Sequence, residues 1–234
     1  PIVFIVAQLC PERRNSAASS LRLQLRPMNW SEFSALLLLA TAATFTPGPN
    51  TTLATAIAAN RGLRGSLRFV CSVPTGWALL VGLCGVGLGA LVLAVPALRW
   101  GILLTGVGYM LWLALRLARS GHLNQANESQ LDVSFLEGVG LQFLNIKAWM
   151  LALTVVAGWV AGHTDWGWRL VAWVLPVMIA FGFSSNFTYA MIGSLLRNWL
   201  SQGKRLLWFN RIMSLALVLT AIWMGWSAAY MGMA

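Results

Sequence analysis

Thr46-Pro47-Gly48-Pro49-Asn50 sits inside an apolar run that starts near Phe33 and ends at Arg61. Each proline removes a backbone N–H and crowds the turn before it, so two prolines and a glycine in five residues break a helix. In a bilayer the freed carbonyls need partners, and irregular backbone is tolerated only where protein or a water-filled cavity covers it. From Glu32 to Thr46 is 14 residues, roughly 21 Å of helix, and from Asn50 to Arg61 is 11 residues, roughly 16 Å. Against a hydrocarbon core about 30 Å thick, the break falls near the midplane, the depth at which discontinuous helices build substrate sites.

Composition makes the run a membrane span. Of 234 residues, 58% are hydrophobic, 9% are charged and 13 are Trp, and the mean hydropathy is +0.71. A soluble domain carries about 25% charged residues. An all-α, polytopic membrane protein is predicted, with no room for a second soluble domain. The formal net charge of +10 does not indicate a nucleic-acid partner, because the bases are spread between apolar spans and not gathered on one face. Cys10, Cys71 and Cys84 have no metal or disulfide spacing; Cys71 and Cys84 read as small core residues. The Arg-rich segment from Pro1 to Pro27 is set apart, as an upstream extension or a targeting peptide. The transporter-like domain is expected over residues 28–234.

Six apolar segments follow Met28, at about 33–60, 69–95, 100–117, 135–161, 170–196 and 212–230. Each is near or above the roughly 20 residues that cross a bilayer. The first, third and fifth connections hold nine Lys and Arg, whereas the second and fourth hold only Arg99 and Arg169. Lys/Arg excess marks the cytoplasmic side, so both termini are expected outside. Three spans per half would make related halves inverted, a 3+3 repeat of the kind transporters use. Phe45-Thr46-Pro47-Gly48-Pro49-Asn50 and Phe143-Leu144-Asn145-Ile146-Lys147-Ala148 open the two halves with an aromatic, a polar residue and an interruption, the second without proline. Gly85 and Gly89 are expected to share a helix face for close packing. Pro74-Thr75-Gly76 is expected to interrupt the second span.

The chemistry concentrates at these interruptions. Thr46 is predicted to N-cap the second half of span one, with Pro47 at the first helical position. The N–H groups of Gly48 and Asn50, at the positive end of a helix, would then take a carboxylate, and the carbonyls that end the first half-helix would take an ammonium. An amino-acid zwitterion presents both groups; the alternative is a structural kink. Lys147 is the one ionisable side chain deep within a span, and intramembrane charges are functional candidates. It reads as a carboxylate partner or titrating group beside Asn145, or as a side chain that snorkels to the surface. Asn186, with Ser184, Ser185 and Thr188, is a polar patch for interhelical hydrogen bonds or pore lining. The candidate binding set is Thr46, Pro47, Gly48, Pro49, Asn50, Thr75, Gly76, Asn145, Lys147 and Asn186. His122 and His163 are expected in solvated loops. No Asp or Glu falls deep inside a span, so the span interiors offer no carboxylate for proton coupling.

Taken in order, several of these stretches resemble the LysE/RhtB family of bacterial amino-acid exporters. They are Thr46 to Asn50, Asn60-Arg61-Gly62-Leu63-Arg64-Gly65, Thr75-Gly76, Gly85-Val86-Gly87-Leu88-Gly89, Gly108-Tyr109-Met110-Leu111-Trp112-Leu113, and Phe143 to Ala148 with Ile146 where the family usually has proline. The resemblance covers essentially Met28 to Ala234. It implies six helices in the inner membrane and export of amino acids or close relatives, driven by the proton gradient. The expected partners are an amino acid and the lipid bilayer, with self-association open and no nucleic acid, metal or cofactor. Two other classes compete. A membrane-embedded enzyme lacks support, since there is no His-Glu-x-x-His, no Gly-x-Ser-x-Gly and no intramembrane acid pair. A passive channel or scaffold would leave a polar midplane break without a task.

Overall fold

A computed structural model describes residues 28–120 and 132–233; the segment before Met28, with Cys10, and the loop containing His122 lie outside the described residues. Among the described residues every regular element is helical. They are α1 (Trp30–Phe45), α2 (Pro49–Gly85), α3 (Leu88–Ala94), α4 (Pro96–Arg119), α5 (Phe135–Leu144), α6 (Ile146–Trp159), α7 (Trp166–Arg169), α8 (Leu175–Leu200) and α9 (Arg205–Met233). A π-helical turn, Leu170–Val174, joins α7 to α8. Pro176 follows one turn later, and its ring and missing N–H do not fit a regular i→i+4 ladder.

This is a multi-pass helical membrane protein. Four helical stretches are long and apolar enough to cross a bilayer: Pro49–Gly85, Pro96–Arg119, Trp166–Leu200 and Arg205–Ser227. The pair α5 and α6, bent by 70°, forms a fifth. The six spans expected from the sequence therefore do not map one to one onto single helices. Residues Pro49–Gly85 run as one 37-residue element, yet Gly62 within it has φ 77° and ψ 172°. Only glycine adopts that region without strain. The chain doubles back there, because Asn50 and Pro74, each 12 residues from Gly62, line the same cavity. A straight helix would set them roughly 36 Å apart.

The first break is where the prolines require it. Helix α1 ends at Phe45 and α2 starts at Pro49. The second break occurs without proline, and Asn145 explains it. Its backbone is extended (φ −96°, ψ 104°) and its side chain accepts from the Lys147 N–H at 3.1 Å, an N-cap for α6. Extended backbone is also what a residue before proline prefers, and Ile146 stands at the first helical position, where proline is harmless. Ile146→Pro is therefore expected to keep folding and transport, with a melting temperature within a few degrees of wild type; a collapse in detergent-solubilised yield would contradict it.

Several expectations are corrected. Helix α2 runs through Pro74 with Gly62 as its single non-helical residue, so Pro74-Thr75-Gly76 is no interruption. Gly85 and Gly89 do not share a helix face: α2 stops at Gly85, Gly87 turns the chain at φ 101°, and α3 carries Gly89. Cys84 is buried but Cys71 is exposed.

Two apolar clusters fill the interior. One joins Leu53, Ile57, Phe69, Val73, Met110 and Leu141. The other joins Leu36, Trp77, Ala148, Trp149, Val174 and Met178. Large exposed side chains such as Leu38, Leu195 and Leu219 face outward, as a lipid-facing surface requires. Between the two clusters, where Val73 of the first meets Trp77, Ala148 and Met178 of the second, a cavity opens.

Candidate substrate site

The cavity lies where the two helix breaks meet. Its polar lining comes from Thr44, Thr46, Gly48, Asn50 and Thr51 at the first break, Gln142, Asn145 and Lys147 at the second, and Asn186 of α8. Val73, Pro74, Trp77, Leu151 and Met178 supply apolar walls. Its volume is about 70 Å³; one water needs roughly 10–15 Å³, so a small solute fits. No Asp or Glu is among its lining residues.

The first break is built differently from the sequence expectation. Thr46 is the C-cap of α1, with extended backbone, and its hydroxyl donates back to the Ala42 carbonyl. Gly48 is the N-cap of α2, and Pro49, not Pro47, begins that helix. The Gly48 N–H donates to Thr51 Oγ1 at 2.9 Å, and that hydroxyl donates to the Gly48 carbonyl at 3.0 Å. The second and third helical residues, Asn50 and Thr51, keep N–H groups that no intrahelical carbonyl can accept. The start of α6 faces the same space, since Asn145 and Lys147 line it. Two positive helix ends and one ammonium therefore converge on a region without a carboxylate.

The carbonyls that end α1 are not bare. Ser185 Oγ donates to Thr44 O at 2.6 Å, Tyr189 OH to Phe45 O at 3.0 Å, and Lys147 Nζ to Thr46 O at 3.1 Å. Lys147 neither snorkels nor stands alone; it bridges the two breaks. A second bridge is an amide pair, Asn50 Nδ2 to Gln142 Oε1 at 2.9 Å and Gln142 Nε2 to Asn50 Oδ1 at 3.2 Å. Gln142 is fully buried. Trp149 Nε1 donates to Phe143 O at 2.8 Å and closes the end of α5.

Two buried polar atoms at the cavity have no hydrogen-bond partner: the donor Trp77 Nε1 and the acceptor Asn186 Oδ1. Asn186 Nδ2 is engaged with Gly182 O at 2.8 Å, which fixes the amide with its oxygen free. Buried polar atoms are normally paired, so an orphan donor and an orphan acceptor on residues that line one cavity leave hydrogen-bonding capacity unused there.

Seven of the predicted residues line the cavity: Thr46, Gly48, Pro49, Asn50, Asn145, Lys147 and Asn186. Pro47 is exposed and lies outside the lining. Thr75 is exposed, its hydroxyl donating to Cys71 O at 2.9 Å. Gly76 is a packing residue, since a Cβ there would meet Val139 O at 2.6 Å. Sequence reasoning missed Gln142, Trp77 and Tyr189. Gln142 had a signal, an amide in an otherwise apolar stretch three residues before Asn145; Trp77 and Tyr189 had none that separates them from interfacial aromatics.

Two helix breaks that meet at a cavity with polar groups among its lining are a pattern of transporter folds among multi-pass membrane proteins. The LysE type translocator model matches residues 41–228, and the chain belongs to that family. It is similar to the cysteine/O-acetylserine efflux protein of Salmonella choleraesuis (strain SC-B67), 30% identical over 202 residues, which span 85% of this chain and 98% of the relative. It is also similar to the protein of the same name in Escherichia coli (strain K12), 29% identical over 184 residues, spanning 76% of this chain and 89% of that one. No solved structure matches.

Proposed function

We propose that this protein exports small amino acids with uncharged side chains across the bacterial inner membrane by alternating access, in exchange for protons. The membership in an exporter family and the names of its relatives, which concern cysteine and O-acetylserine, support amino acids as the cargo. The cavity supports the narrower class. A basic side chain would find no carboxylate among the lining residues, and a large one would find no room.

In this reading the substrate carboxylate sits at the start of α2 against the Asn50 and Thr51 N–H groups, Trp77 Nε1 and the Lys147 ammonium. The substrate ammonium sits on Asn186 Oδ1. The naked-carbonyl site foreseen from the sequence is thereby replaced by a side-chain acceptor, because Ser185, Tyr189 and Lys147 already hold those carbonyls. The single observation that carries the proposal is the orphan pair, Trp77 Nε1 and Asn186 Oδ1, in one cavity between two helix breaks.

The span count completes the picture. With α1 and the arm of α2 before Gly62 as one broken crossing, the arm after Gly62 as the second, then α4, α5 with α6, α7 with α8, and α9, there are six. The two breaks open spans one and four, as an inverted 3+3 repeat asks. The Lys/Arg bias puts the turn at Gly62 inside and both ends outside.

The direct test is to load expressing cells with dipeptides and profile which amino acids leave faster. Asn186→Ala should fold normally, since its amide bonds only to its own helix. A hydrogen bond to a charged group is worth about 1.5–3 kcal/mol, so the half-saturating concentration should rise roughly 10- to 100-fold. Unchanged saturation in that variant would remove Asn186 from the site.

A further inference from the structure

One face of α8 runs along the cavity. Met178, Gly182 and Asn186 all line it and are spaced four residues apart, so they stack on the same side of the helix. Each step along this face is roughly 6 Å. Asn186 Nδ2 donates to the Gly182 carbonyl at 2.8 Å. The amide therefore folds back over the Gly182 turn, and its unpartnered Oδ1 lies at that level. Pro74 of α2 and Leu151 of α6 add apolar walls to the same cavity.

Gly182 is the unexpected residue on this face. Glycine disfavours a helix interior relative to alanine, and Gly182 lies well past the first turn of α8. Its backbone does not require glycine, since it is not among the residues with positive φ. Close helix packing does not require it either. A Cβ at Gly76 would meet the Val139 carbonyl oxygen at 2.6 Å, whereas a Cβ at Gly182 would meet only Pro74 Cβ, at 3.8 Å, an ordinary van der Waals contact. A methyl group would fit there without moving a neighbour. What the missing methyl leaves open is room in the cavity, beside Pro74 and next to the Asn186 amide.

We propose that Gly182 is the specificity-determining residue of the site: the space beside it receives the substrate side chain, and Met178, one turn further along α8, ends that space. The inference rests on the exporter reading above, and in particular on the substrate ammonium sitting at Asn186 Oδ1. The Cα of an amino acid is bonded directly to that nitrogen. A substrate held at Oδ1 therefore brings its Cα and the first atoms of its side chain against the Gly182 turn. Pro74, Leu151 and Met178 make the surroundings apolar, and no Asp or Glu lines the cavity. Such a subsite takes a short uncharged chain. Met178 is buried and stands roughly 6 Å beyond Gly182, where it stops a longer one.

The test is counterflow of radiolabelled serine into liposomes that hold the purified full-length protein. Unlabelled alanine, α-aminobutyrate, norvaline and norleucine compete, so the subsite is measured one methylene at a time. A methylene that fits or fails to fit an apolar pocket changes binding by roughly 10- to 200-fold. In Gly182→Ala the half-inhibiting concentration of norvaline relative to alanine should rise at least about tenfold, because the added methyl takes the place of a substrate carbon. In Met178→Val the ratio of norleucine to alanine should fall at least about tenfold, because the far wall recedes. Valine keeps packing that alanine would lose at this buried position. Detergent-purified Gly182→Ala should melt no lower than wild type, since alanine favours the helix. Ratios within about threefold of wild type in either variant would overturn the inference. A Gly182→Ala protein that melts several degrees lower would overturn it too, by making Gly182 a packing residue. Wild-type protein without counterflow of any small amino acid would instead overturn the exporter reading itself.

Discussion

Lys147→Met is expected to abolish transport while the protein still reaches the membrane. The ammonium holds the Thr46 carbonyl at 3.1 Å from the other break, and it lies within the cavity where a carboxylate would bind. Methionine keeps the apolar stem and removes the charge. A charge-assisted bond contributes about 1.5–3 kcal/mol, equivalent to roughly 10- to 100-fold in substrate affinity. Conformational cycling is affected as well, because the bridge that Lys147 makes between the two half-spans is broken in every state. Both losses act on transport, so the combined effect should exceed that of Asn186→Ala. Abundance should change little, since Thr46 is exposed and its freed carbonyl has access to water. Thr46→Ala is the matched control. The hydroxyl bonds only within its own helix, to Ala42, while the carbonyl that Lys147 holds belongs to the main chain and survives the substitution. Thr46→Ala with normal counterflow beside Lys147→Met with none would assign the role to the ammonium. Normal counterflow in Lys147→Met would reduce the lysine to a helix cap.

The sequence made the first break legible because proline and glycine act locally, through a missing N–H and a missing Cβ. It left the second break ambiguous because Asn145 starts α6 by a different device, a side-chain cap that does not depend on proline at the Ile146 position. The turn at Gly62 was visible as Asn60-Arg61-Gly62, but its abruptness was not. One residue with φ 77° replaces the loop expected between the first two spans. The cavity was legible in its polar residues and not in its donors and acceptors. Which carbonyls remain free depends on Ser185 and Tyr189, 141 and 144 residues away from the groups they bond. The Glu32–Arg169 pair lies 137 residues apart, and no periodicity predicts it. Arg169 entered the sequence argument as a topology signal in an outer loop, whereas the structure buries it in an ion pair.

Gly193→Ala is expected to destabilise the fold severely, and Gly108→Ala not at all. The cavity depends on how closely α8 lies against α2, since Asn186 comes from one and Asn50 from the other. Gly193 sets that approach. A Cβ placed there would collide with the Thr55 carbonyl oxygen, and would stand 3.0 Å from its carbon and 3.1 Å from Thr55 Cα. The obstacle is main chain, which cannot rotate aside as a side-chain tip can. Lipid tails offer no hydrophobic drive for helix association, so packing at such small-residue contacts supplies much of the attraction between membrane helices. Overpacking costs about 1–3 kcal/mol, occasionally more, and backbone-on-backbone contact falls at the upper end. For a chain of this size that amounts to about 2–4 °C of melting temperature per kcal/mol. Detergent-purified Gly193→Ala should therefore melt several degrees below wild type, with weakened substrate saturation because Asn186 is pushed away from Asn50. Gly108 meets no atom within 4 Å and lies exposed within α4, where alanine is favoured over glycine by roughly 1 kcal/mol. Equal melting of the two variants would mean that α2 and α8 are not held at the spacing that forms the cavity.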